Sequence, residues 1–175
     1  GDITLIAIGT VTYRDGSTIL ALGHPFLNGG EVNFPITTAK IHTVLPSQQL
    51  SVKLGSPIKQ VGRLTQDRIS CVVARVGEEA NTFPFEIEVV NPRSNISHSY
   101  KMLTVWHTTL TLKLIQAALQ SALETSEATI GENTTDVEVK ATFAGYPPIR
   151  LKNTYFNNQG PYNREIFLPI ARLIF

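Results

Sequence analysis

The stretch "TVTYRDGSTILALGHPFLNGG", residues 10–30, decides how this chain is read. β-Branched and aromatic residues lead into Asp15-Gly16, and a second apolar run leads out of it. Asp-Gly between two such runs is a hairpin signal, because glycine takes the positive φ of a tight turn twisted like its flanking strands. The return strand, 17–22, delivers His24 at its end, ahead of a loop of Pro25, Asn28, Gly29 and Gly30. A strand end followed by a glycine-rich loop is where functional groups are displayed. Imidazole is also the side chain suited to proton transfer near neutral pH. Judged alone, a histidine in a Gly-His-Pro turn is more often structural than catalytic, so its partners decide the matter.

Outward from this hairpin the pattern stays β. "GEVNFPITTAKIHTVLP" alternates as a strand over 31–45, with Pro35 marking an edge or a bulge. "LSVKLGS", "IKQVGRLTQ", "ISCVVARVG" and "TFPFEIEVV" read as four further short strands, punctuated by Gly55-Ser56-Pro57, Asp67, Gly77 and Pro92. Short strands at that density with glycine-rich turns predict an antiparallel barrel or sandwich. After residue 100 the period changes. Apolar residues at 103, 106, 110, 114, 115, 118, 119, 122 and 123 have helical spacing, and a long helix is expected over about 104–127. "TDVEVKATFAG" and "IRLKNTYF" are strands around Pro147-Pro148, and "REIFLPIARLIF" at 164–175 is open between helix and strand. The expectation is therefore a mainly β chain with one long helix (α+β). A barrel-like region, 1–92, carries the histidine, and 93–175 packs on it as one unit.

Composition bounds the function. The 175 residues are 42% hydrophobic and 17% charged, with a net charge of +1. No block of five or more Lys and Arg appears, so no nucleic-acid or anionic-membrane surface is marked. No apolar run reaches the length of a spanning helix. Cys71 has no second cysteine to pair with and lies in the apolar "ISCVVARV", which reads as a buried small hydrophobe. His42, His98 and His107 share no metal-ligand spacing, and there is no glycine-rich phosphate loop. No metal and no cofactor is expected. "NIS" at 95–97 and "NTT" at 133–135 are glycosylation acceptors only in a secretory eukaryotic setting. A chain that opens in a strand-like run and closes on "FLPIARLIF" reads as a piece of something longer.

A base needs an orienting carboxylate and a nucleophile. Asp67 in "LTQDRIS" is the weak candidate for the carboxylate; a solvated turn aspartate is the plainer reading. Among serines, Ser56 in the Gly-Ser-Pro turn is the most tempting. Barrel-type serine peptidases hold their nucleophile in a Gly-x-Ser-Gly-x-Pro turn, whose N–H groups form the oxyanion hole. Laid on Val52–Pro57, that pattern puts Leu54 at the nucleophile position. Ser56 is thus a turn residue.

"IGTVTYRDGSTILALGHPF" resembles the histidine segment of the stage IV sporulation (SpoIVB-type) serine peptidases and their longer bacterial relatives. "VNFPITTAKIHTVLPS" and "VGRLTQDR" look like the longer relatives' pattern, so the resemblance covers residues 5–92 well and the remainder weakly. It implies a barrel related to chymotrypsin-like peptidases, a polypeptide substrate and His24 as general base. It also implies an extracytoplasmic or envelope location in a bacterium. The family's "GMSGSP" nucleophile motif does not occur in this chain, and its aspartate sits near that motif, so Asp67 does not inherit the role.

Two functions follow. In the first, the chain is the histidine-bearing part of a serine peptidase whose serine lies in a segment outside it, and the isolated chain is inactive. In the second, it is a non-catalytic β-rich binding or scaffolding domain that retains the peptidase shape.

Overall fold

The computed structural model describes residues 6–49, 51–125 and 132–158. The segment 164–175, left open between helix and strand, lies outside them. The first hairpin forms as its turn residues dictate. β1 (Val11–Asp15) and β2 (Thr18–Ala21) pair antiparallel, with Asp15 opposite Thr18. Gly16 takes φ +53 at the first central position of the two-residue turn, which is where a primed turn needs it.

β3 (Gly30–Leu45) and β4 (Val52–Asp67) are 16-residue strands that pair antiparallel from Gly30 opposite Asp67 to Leu45 opposite Val52. β5 (Val72–Val76) pairs with both β2 and β4. The resulting sheet runs β1-β2-β5-β4-β3 and is open, with β1 and β3 as its two edges. The expected chymotrypsin-like barrel is therefore not formed. Closing a sheet requires enough staggered strands to bring its first and last together. Here three of the five have only four or five residues. The two long strands spend their outer halves pairing with each other alone: β5 reaches β4 only over Gly62–Asp67.

The supposed turn Gly55-Ser56-Pro57 lies inside β4, so the two strands expected on either side of it are one strand from Val52 to Asp67. Pro57 is accommodated because that half of β4 has a strand on one side only. Burial follows the same division. Val32, Phe34, Leu64, Val72 and Ala74 form the buried part of the sheet. Ile41, Val44, Leu45, Leu54 and Ile58 on the outer ribbon are exposed.

β6 (Thr82–Asn91) and β7 (Ile96–Val105) make a separate two-stranded sheet, and β8 (Asn133–Ala141) with β9 (Ile149–Asn157) makes another. The helix α1 spans Leu110–Thr125 and is shorter than expected. Residues 104–105 belong to β7, where Met102 and Thr104 are buried and Lys101 and Leu103 exposed. That period of two overrides the coincidental helical spacing of 103, 106 and 110. In α1, Thr111, Ile115, Ala118 and Ala122 are buried on one stripe. Ala118 and Ala122 cluster with Ile87 and Met102, and Phe85, Val89, Tyr100 and Leu119 pack around them. Among the described residues the chain is thus mostly β with one short helix.

It divides into two compact units. One holds the described residues up to 84 together with 103–107; the other holds 85–102 and the described residues from 108 onward. No helix among the described residues is long and apolar enough to cross a membrane.

Candidate functional site

β2 ends at Ala21, and the next two residues turn the chain out of the sheet through left-handed backbone, Leu22 at φ 71 and Gly23 at φ 72. Glycine adopts this freely, whereas leucine does so at a cost of roughly 1 kcal/mol or more. The Leu22 N–H is held by the Thr10 carbonyl at 3.1 Å, which fixes the exit from the strand. His24 follows and is exposed. Its Nδ1 lies 2.8 Å from the carbonyl oxygen of Pro25. A carbonyl only accepts, so Nδ1 carries the proton, and Nε2 of the neutral ring keeps its lone pair.

Asp67 is not at the ring. Its side chain is completely buried, at 0% exposure, at the end of β4. The N–H of Phe26 donates to Oδ1 at 2.7 Å, and the N–H groups of Leu27 and Gly29 donate to Oδ2 at 2.6 and 3.1 Å. The loop after His24 is thus folded around one carboxylate, which rules out a solvated turn aspartate and leaves no direct contact to orient the imidazole. Asn28, at φ 55, supplies the left-handed step that lets the amides on either side of it converge. Phe26 meets Phe34 edge-on, with centroids 6.3 Å apart, and the His107 ring lies 5.5 Å from Phe34. His107 therefore belongs to the support of this loop and not to a helix.

Burial pushes the Asp67 carboxyl up, but the amides of Leu27, Phe26, Gly29 and Asn28 outweigh it and hold it below its ordinary 3.8. A depressed folded pKa contributes stability that is present above the unfolded value and lost as pH falls through the folded one. The chain is accordingly expected to lose stability on acidification below about 4. In an Asp67→Asn variant that part of the acid limb disappears. Urea midpoints measured in steps from pH 6 to 3 for both proteins check this.

His24 lines an open cleft of about 550 Å³ with Ile8, Leu22, Ser51, Lys53 and Leu54. The Lys53 ammonium donates to the hydroxyl of Thr10, which also lines the cleft. Leu54, which the nucleophile pattern puts in the serine's place, faces the same cleft as His24. Among the described residues, no hydroxyl hydrogen-bonds to His24.

Ser56 pairs instead with His42, Nε2 to Oγ at 2.9 Å, across the exposed β3–β4 ribbon. Sequence reading missed this contact. Folding 31–45 and 52–67 around the Pro46–Ser51 connection would have brought the two side chains together, had Gly-Ser-Pro not been taken as a turn. Cys71 is a half-buried free thiol. Among the described residues, no group of three or more His, Cys, Asp or Glu side chains is arranged to hold a metal ion. No protein-family model, curated protein or solved structure matches the chain.

Proposed function

We propose that this chain supplies the general-base histidine of a serine peptidase of the SpoIVB type, acting on polypeptide outside the cytoplasm of a bacterium. The nucleophilic serine comes from a segment beyond residues 1–175. The observation that carries this reading is the Nδ1–H of His24 donating to the Pro25 carbonyl at 2.8 Å on an exposed ring. In the neutral ring this leaves Nε2 unprotonated, in the state a base requires. The strained Leu22 step just before it adds support, since such backbone clusters at functional sites.

In this reading Nε2 takes the serine hydroxyl proton as the oxygen attacks the scissile carbonyl, and returns it to the leaving amine. The Pro25 carbonyl fixes the tautomer, a task that a carboxylate performs in the Ser-His-Asp arrangement. The chain alone is inactive, because an imidazole without its nucleophile supplies a small part of such catalysis.

The test is fluorophosphonate labelling of the full-length protein beside its His24→Ala variant. Covalent labelling of a serine outside residues 1–175, abolished in the variant, is the expected result. Absence of labelling, or labelling indifferent to His24, rejects the peptidase reading in favour of a non-catalytic binding domain.

A further inference from the structure

We infer that Asp67 is a positioning residue for His24 and acts through a single peptide group, the one joining Pro25 to Phe26. The C=O of that group accepts the His24 Nδ1–H at 2.8 Å, and its N–H donates to Asp67 Oδ1 at 2.7 Å. The C=O and N–H of one planar trans peptide point in opposite directions. Asp67 on one side and His24 on the other are therefore joined in a chain of two hydrogen bonds with a rigid link between them.

Two physical effects pass along it. The carboxylate sets the plane of the peptide, and with it the direction in which the carbonyl meets the ring. The negative charge also draws on the N–H and so strengthens the carbonyl as an acceptor, as hydrogen bonds in series do. Both favour the tautomer with the proton on Nδ1 and the lone pair on Nε2. Pro25 suits the position: its ring narrows φ, and it has no N–H to compete for either partner. The Leu27 and Gly29 amides on Oδ2 hold the carboxylate in register, so that Oδ1 is left to Phe26. Asp67 is itself fully buried, which shields its bond to Phe26, whereas the His24–Pro25 bond lies at the surface. Other charged or ionisable groups near this carboxylate are His107, which borders Gly29, and Arg68, whose Nε is committed to Gln66 Oε1. This inference rests on His24 being the reactive imidazole.

Asp67→Asn keeps the shape and replaces one acceptor oxygen with a donor NH₂, which cannot accept from an amide. The expected result is redistribution of the His24 tautomers toward Nε2–H, seen in the imidazole ¹⁵N signals, while the His42 ring is unmoved. In the full-length protein the labelling rate should fall about tenfold to a hundredfold, the loss seen when the partner that orients a metal-ligating histidine is removed. Formate added to Asp67→Ala, which leaves the ring of amides empty, should restore the His24 signals.

A His24 spectrum unchanged in Asp67→Asn would reduce Asp67 to a loop fastener and overturn the inference. Should the variants not fold, the wild-type chain decides. Through-hydrogen-bond couplings from Phe26 ¹⁵N to Asp67 ¹³Cγ and from His24 ¹⁵Nδ1 to the Pro25 carbonyl carbon support the inference, and absence of either overturns it. These readouts do not depend on hydrolysis, so a failed peptidase assay and a failed Asp67–His24 link are told apart.

Discussion

Asp67→Ala is expected to lower the unfolding free energy by about 3 kcal/mol or more. Three N–H groups converge on one fully buried carboxylate at 2.6 to 3.1 Å. Hydrogen bonds to a charged group contribute roughly 1.5–3 kcal/mol each, and each buried amide left without a partner costs about 1–3 kcal/mol. The full sum is not reached, because the loop lies near the surface and water enters the vacated space. A loss of about 3 kcal/mol corresponds to a fall in melting temperature of roughly 10 °C for a chain of this size. The check is urea denaturation, where the midpoint falls and the slope is unchanged. Hydrogen exchange localises the effect: the amides of Phe26, Leu27 and Gly29 lose protection more than the β4–β5 ladder does.

Gly62→Ala is expected to be of similar size for a different reason. Gly62 is buried in β4 opposite Val76 of β5, and a Cβ there would lie 2.0 Å from the Arg75 carbonyl oxygen and 2.9 Å from the Val76 Cα. Backbone cannot swing aside as a side chain can, so the two strands must separate. Overpacking of a well-packed interior costs typically 1–3 kcal/mol, and this site belongs at the top of that range. Gly9→Ala is the informative contrast. Its Cβ would meet Leu22 Cδ2 at the same 2.0 Å, but that atom is the end of a rotatable side chain. Thermal melts of the two variants should therefore differ clearly, with Gly62→Ala the lower. Equal losses would mean that the β4–β5 approach is more pliant than its geometry implies.

Local signals in the sequence carried through where one turn or one period decides the outcome. Asp15-Gly16 marks the first hairpin because a two-residue turn needs glycine's φ, and His24 falls just past the end of the return strand. The alternating runs on either side of Pro147-Pro148 form as β8 and β9, paired from Asn133 opposite Asn157 to Ala141 opposite Ile149. What depends on distant pairing was not legible. Gly-Ser-Pro ends a strand in most settings, but here it is tolerated inside β4 because half of that strand lacks a second neighbour. That misplaced turn split one long strand into two short ones and so added to the short-strand pattern read as a barrel or sandwich. The helix start was placed too early because alternation in "KMLTV" overlaps a helical spacing. Asp67 lies forty residues from the loop that it fastens, and no local pattern reports that three amides from residues 26–29 turn toward it.

The functional account turns on which nitrogen of His24 is bare. The deciding measurement is the imidazole ¹⁵N spectrum of the ¹⁵N-labelled 175-residue chain, taken where the ring is neutral. The account predicts a protonated Nδ1 and an unprotonated Nε2. A neutral ring carrying its proton on Nε2 would contradict it, because Nε2 could then accept no proton from a serine.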